Sequence, residues 1–205
     1  MRERDTGHME TDRNIAYYNE HAHAFFEDTA KADMSGLYAE FLPLIPKDGH
    51  ILDVGCGSGR DSLAFLKMGY AVTSFDASEE MVRMSTELTR EAGGKPTRLM
   101  RFEELEDVAQ YDGVWACASL LHVPEAMMKD VMRRMVQALK PGGVLFSSFK
   151  HGDGEMERKG RTFTMVSEEA LRGYMAGIPI EEVKVWTTQD VRDGREGEKW
   201  VSGVW

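Results

Sequence analysis

The stretch Ile51-Leu52-Asp53-Val54-Gly55-Cys56-Gly57-Ser58-Gly59-Arg60-Asp61 limits the possible folds more than any other part of the chain. A short apolar strand runs into three alternating glycines, and helical periodicity then continues from Arg60 to Met68 until Gly69. A glycine turn between strand and helix removes side chains where a ligand must approach the backbone. Open α/β sheets bind ligands at the carboxyl ends of their strands, where the strand order reverses. Asp53 sits just before the turn, where its carboxylate can face the positive end of a bound amino acid. Asp76 ends the next strand, Val72-Thr73-Ser74-Phe75. An acidic residue about 20 residues beyond such a turn can accept two hydrogen bonds from ribose hydroxyls.

The alternation continues on both sides of this stretch. Residues 14–29 read as a helix rich in aromatics and histidines, and residues 35–44 as a second helix. Strands are expected at 50–54, 71–75, 97–101, 111–116 and 144–149, with helices at 60–68, from Ser78 onward and at 124–139. Ser78 caps one of these helices and Gly93-Gly94 ends it. Met128, Met132 and Met135 recur at helical spacing, which marks core rather than a sulfur-binding site. Near the end, 182–187 and 200–205 read as two strands. Only the charged glycine turn 193–197 joins them, so they should pair antiparallel. The expected fold is α/β, with a doubly wound, mostly parallel seven-stranded sheet and an antiparallel last strand. It should occupy residues 14–205, behind a flexible N-terminal tail over residues 1–13.

Composition removes several classes of function. The formal net charge of −10 argues against a surface that tracks nucleic acid. There is no run of about 18 apolar residues to span a membrane. Cys56 and Cys117 are too few for a disulfide framework, so a reducing, cytoplasmic compartment is expected. His21 and His23 stand two apart on a helix and face different ways, so no metal site is expected there.

Asp-x-Gly-x-Gly-x-Gly, Asp76, the strand Tyr111-Asp112-Gly113-Val114-Trp115 and the segment Leu139-Lys140-Pro141-Gly142-Gly143 together resemble the class I S-adenosylmethionine-dependent methyltransferases. The resemblance covers about residues 14 to 205, and the family's reversed last strand matches the terminal pair. It implies a Rossmann-like methyltransferase fold and S-adenosyl-L-methionine as cofactor. Asp53, Gly55, Cys56, Gly57 and Gly59 would line the methionine part, and Asp76 would hold the ribose. Ala77 and Met81 would flank the adenine, and Phe102 and Glu103 would border its edge, where the family usually shows Asp. Ala118 and Ser119 would pass under the sulfonium, and Tyr17 and Tyr18 look like an aromatic lid.

His122, Tyr18 and His151 are the candidates for positioning or deprotonating the acceptor. Methyl transfer needs a base only where the acceptor holds a proton tightly, so the absence of a triad is no obstacle. The segment after the fifth strand, 150–163, reads as a glycine-rich cationic loop at the ligand edge of the sheet. There Lys150 and Arg161, helped by Arg192, would meet an anionic group on a small-molecule acceptor. Trp186, Asp190 and Trp200 form a second polar-aromatic set nearby. Three alternatives stay open at this point: a protein or RNA acceptor, a non-catalytic partner that binds the cofactor, and a nicotinamide site. The oligomeric state is also open.

Overall fold

Strand alternation decides which layer each residue joins. The structure, a computed structural model, describes residues 3–190, 192, 195 and 197–205. In β1 (His50–Val54), Leu52 and Val54 enter one apolar cluster and Ile51 the other. The same split separates Val114 and Ala116 from Trp115 in β4 (Tyr111–Ala116). It also separates Leu145 and Phe149 from Phe146 in β5 (Leu139–Lys150). Strands buried on both faces need helices on both. α5 (Glu125–Ala138) and α6 (Glu168–Met175) cover one side with Met128, Met132, Met135 and Leu171. α2 (Ser35–Phe41) and α3 (Arg60–Lys67) cover the other, where Phe41 and Phe65 pack around Trp115 and Trp115 stacks on Phe146 at 4.0 Å.

The strands β2 (Ala71–Asp76), β3 (Arg98–Leu99), β8 (Lys184–Gln189) and β9 (Lys199–Val204) complete a seven-stranded sheet in the order β3-β2-β1-β4-β5-β9-β8. The first five are parallel. β9 runs antiparallel to β5, with Phe149 opposite Val201, and β8 runs antiparallel to β9. The expected fold class and reversed last strand are therefore present. α4 (Glu79–Arg90) starts where Ser78 Oγ accepts the Met81 N–H at 3.2 Å. The strand order reverses between β1 and β4, so the carboxyl ends of β1, β2 and β4 open onto one cleft.

Three segments differ from expectation. The strand expected at 97–101 is only Arg98–Leu99. Glu104 accepts the Arg101 N–H at 2.8 Å and starts a 3-10 turn over Phe102–Glu104. The segment after β5 is a hairpin, not a loop: β6 (Gly154–Arg158) pairs with β7 (Arg161–Met165). Lys159 and Gly160 both take positive φ, 53° and 74°, the backbone that a two-residue hairpin turn needs. Finally, α1 (Glu3–Thr29) begins well before residue 14, so residues 3–13 are helical rather than a tail. Tertiary partners account for this: Asp12 pairs with Arg101 at 2.5 Å, and Asn14 docks on β7. Within α1 the helix breaks at His21 (φ −112°, ψ 16°). The expected turn 193–197 lies partly outside the described residues.

Candidate functional site

A cavity of about 1130 Å³ occupies the cleft. Single-ligand pockets usually measure about 300–1,000 Å³, so this one has room for two molecules. Its floor is the end of β1 and the turn after it. Asp53 is 2% exposed, and its carboxylate accepts one hydrogen bond from Ser62 Oγ at 2.6 Å. Burial, and then the charge of Asp61, push its pKa above the usual carboxylate range. Asp61 is buried too, but it stays below that range. Arg60 grips it through two hydrogen bonds, and Tyr38 Oη and Trp115 Nε1 also donate to it at 2.7 and 2.9 Å. With Arg60 committed to Asp61, a ligand ammonium would restore the charged form of Asp53.

The glycines play different parts. Gly57 has φ 54°, and a Cβ built on it would meet only Phe25, at 3.7 Å, so its open side faces the cavity. Gly59 has φ 88°, and a Cβ there would fall 2.6 Å from Ser85 Oγ and 3.0 Å from Ser85 Cα. Gly59 does not line the cavity. Its expected ligand role is corrected to a packing role, because its missing side chain lets the turn sit against α4.

Asp76 faces the turn from the end of β2. Its two oxygens accept the Gly57 and Ser78 N–H groups, each at 2.9 Å. Burial raises its pKa and these donors offset part of the rise. A carboxylate offers about four lone-pair positions, so Asp76 ties the turn to α4 and still has capacity for ligand hydroxyls. Ala77, Met81, Phe102 and Glu103 line the wall beyond it. At the end of β4, Ala118 takes a left-handed φ of 52°, with its N–H held by Ser148 Oγ at 2.9 Å. Strain of this kind collects at ligand sites. Beside it, Ser119 Oγ is buried with no hydrogen-bond partner. Cys56, Gly55 and Ser119 all reach the cavity. Burial raises the Cys56 thiol well above its usual range. One buried and one half-buried carboxylate, an unpartnered hydroxyl and a glycine turn fit a ligand that joins an amino acid to a nucleoside.

The other end of the cavity is aromatic and is assembled from distant segments. Asn14 hooks α1 to β7 through both halves of its amide: Oδ1 accepts the Thr162 N–H at 2.9 Å and Nδ2 donates to the Thr162 carbonyl at 3.1 Å. This brings Tyr17 and Tyr18 over the cleft. The Arg161 guanidinium lies 4.4 Å from the Tyr17 ring and 5.0 Å from that of Phe163, and its Nη1 donates to Tyr18 Oη at 3.2 Å. Arg161 Nε is buried without a hydrogen-bond partner. His122 ends a 3-10 turn after β4, with Nε2 2.8 Å from Tyr18 Oη and Nδ1 3.1 Å from the Thr162 carbonyl. Burial, helped by Arg161, lowers the His122 pKa to about 4. Burial raises that of Tyr18, and Arg161 partly opposes the rise.

The remaining candidates separate. Lys150 and Arg192 line the cavity but are already paired. Lys150 bonds Glu198, which also takes Arg158 at 2.9 Å. Burial alone would raise the Glu198 pKa, but these cations hold it at about 2. Arg192 bonds Asp190 through two nitrogens and lies 3.3 Å from Asp28. His151 is exposed and lies outside the cavity lining, because alternation along β5 turns Lys150 inward and its neighbour outward. The expected anion-binding trio and the catalytic part of His151 are corrected accordingly: of the three cations, only Arg161 has no carboxylate partner among the described residues. Asn14, Thr162 and Glu198 were not found by sequence reading. Asn14 and Thr162 meet across 148 residues and Glu198 reaches Lys150 across 48, and no local pattern signals such a pairing. Among the described residues, no group of three His, Cys, Asp or Glu could hold a metal ion, and no helix is long and apolar enough to cross a membrane.

Comparison with known proteins divides the chain in a similar way. Residues 51–143 match a family model described as a methyltransferase domain. A ubiquinone biosynthesis O-methyltransferase of Xanthomonas axonopodis pv. citri is 34% identical over 108 residues, 51% of this chain. The match covers 44% of that relative, so this chain spans less than half its length. Among solved structures, a 1,6-didemethyltoxoflavin-N1-methyltransferase of Burkholderia thailandensis, with 1,6-didemethyltoxoflavin and S-adenosylhomocysteine bound, superposes with a TM-score of 0.79 at 20% identity. That superposition covers 97% of this chain and 88% of the other. The cyclase SpnF gives a TM-score of 0.68 at 17% identity, over 83% of this chain and 79% of its own. At these identities the structural likeness establishes the fold.

Proposed function

We propose that the chain, whose residues 51–143 match a methyltransferase-domain model, binds S-adenosylmethionine and transfers the methyl group to a small-molecule acceptor, releasing S-adenosylhomocysteine. One observation carries this reading: Asp53 and Asp76 flank a side-chain-free turn at the strand ends, in a cavity with room for a second molecule. The bound cofactor supplies a methyl group already activated by positive sulfur. The protein's task is to hold both partners in line and keep water out. Asp53 would meet the ammonium, Asp76 the ribose hydroxyls, and Met81 and Phe102 the adenine. Ala118 and Ser119 would border the methyl group. The acceptor would lie under Tyr17 and Tyr18, with an anionic or strongly polar group at Arg161, whose buried Nε has no other partner. The small-molecule names of the relative and of the first structural neighbour support this choice.

The second reading is a cofactor-binding protein with other chemistry, favoured by the shared fold of a protein named as a cyclase. Calorimetry with S-adenosylhomocysteine on wild type and Asp76→Ala tests the cofactor site, and S-adenosylmethionine consumption across a metabolite panel tests turnover. Binding with turnover is expected. Binding with no turnover on any acceptor would favour the second reading, and no binding at all would defeat both.

A further inference from the structure

The hydrogen bonds around Tyr18 have a fixed direction. The Thr162 carbonyl can only accept, so His122 Nδ1 carries the hydrogen in that 3.1 Å contact. A neutral imidazole has one N–H, so Nε2 presents a lone pair and Tyr18 Oη must donate its proton to it at 2.8 Å. With that proton committed and Arg161 Nη1 donating to the same oxygen, Tyr18 can offer a ligand only an electron pair. The adjacent Arg161 can offer a ligand only N–H donors, one of which is buried and unpartnered. All three side chains line the cavity.

We propose that Tyr18 and Arg161 together read an H–X–C=O edge on the acceptor, such as a lactam, imide or conjugated hydroxy-carbonyl. Here X is the nitrogen or oxygen that is methylated, and Tyr18 is the catalytic residue that takes its proton. This rests on the methyl-transfer reading of the site. In the step, X forms a bond to the methyl carbon and the electron pair of the broken carbon–sulfur bond stays on sulfur. The proton of X passes to Tyr18 Oη, and the phenolic proton passes to His122 Nε2. One positive charge leaves sulfur and one arrives on the imidazole, so the net charge of the site does not change. His122 acts through Tyr18 and is a positioning residue and proton sink. Facing it are Tyr18 and Arg161, and the Phe163 ring packs against it at 5.0 Å. Burial makes its imidazole a weak base that accepts a proton only from a strong acid. An X–H beside a carbonyl becomes one as the methyl group arrives.

The test measures 2-pyridone and N-methyl-2-pyridone binding by NMR titration, with S-adenosylhomocysteine saturating the site. The two probes share shape and carbonyl, and only the first has the N–H. Wild type should prefer 2-pyridone by about tenfold, the effect of one buried hydrogen bond. Tyr18→Phe should bring the ratio to about one. His122→Phe, which frees the phenolic proton to turn towards the cavity, should do the same. Arg161→Met should weaken both probes and leave their ratio unchanged. Nitrogen NMR of the imidazole should show Nδ1–H in wild type, and loss of the Nε2 hydrogen bond in Tyr18→Phe. Equal binding of the probes to wild type, or a ratio that survives Tyr18→Phe, overturns the proposal while leaving the cofactor site standing. Failure of S-adenosylhomocysteine to bind the same samples would instead remove the reading on which the proposal rests.

Discussion

The two ends of the cavity are built from different reaches of the chain. Asp53, Gly57 and Asp76 lie on consecutive strands and the turn between them, inside the stretch that matches the methyltransferase family model. The aromatic end takes Asn14, Tyr17 and Tyr18 from α1 and Arg161, Thr162 and Phe163 from β7, all outside that stretch. His122 is the member that falls within it. The first end can therefore be shared among proteins that act on unrelated acceptors. The second can vary with the acceptor, because it hangs on a helix and a hairpin that the central sheet does not need for its own pairing.

If the first end is a cofactor site, substitutions there should remove nucleoside binding whatever the acceptor. Gly57→Val has the largest expected effect. It puts a β-branched residue at φ 54° on the open side of the turn, so S-adenosylhomocysteine affinity should fall more than about 100-fold in calorimetry. Circular dichroism should stay native. Gly59→Ala should show the reverse, a lower melting temperature from the clash with Ser85 and a smaller loss of affinity. Matching profiles for the two variants would break the division between ligand and packing glycines. Next comes Asp76→Ala, with an expected loss of about 1.5–3 kcal/mol in S-adenosylhomocysteine affinity. Unchanged affinity would rule out the ribose assignment.

The aromatic end should behave differently. Arg161→Met should reduce kcat/KM for the acceptor about tenfold to a hundredfold, with S-adenosylhomocysteine affinity nearly intact. Loss of cofactor affinity in that variant would erase the boundary between the two ends. A smaller effect is expected in stability against pH. His122 has a folded pKa of about 4, below the usual 6.5, so the unfolded chain takes up the proton first. Its contribution is full above pH 6.5, is lost as pH falls towards 4, and changes no further below that. Denaturant titrations of wild type and His122→Gln should therefore diverge over that window by about 3 kcal/mol. Taking the difference cancels Asp53, whose raised pKa acts in the opposite sense. The smallest effect belongs to Arg192→Ala. Asp190 and Asp28 already occupy this guanidinium, so acceptor kinetics should change less than about threefold. A loss as large as that for Arg161 would restore Arg192 to the acceptor site.

The α/β class, the reversed last strand and the carboxylates beside the glycine turn are legible in the order of residues alone. Each is written in neighbouring residues: strand and helix periods differ, glycines mark the turn, and Ser78 sits where a helix needs a cap. Residues 3–13 and 150–163 carry no such local signal for the helix and hairpin they form. A polar, charged stretch has no strong local preference, and only Asn14 on Thr162, Asp12 on Arg101 and the Lys159–Gly160 turn give those segments their helix and hairpin. Tertiary structure alone decided which cations stay available. Lys150, Arg161 and Arg192 look alike as residue types, but Glu198 and Asp190 neutralise two of them, while Arg161 is held among aromatic rings with a donor left over. Charge pairing acts through space over a few ångströms, and the order of residues along the chain does not encode those distances.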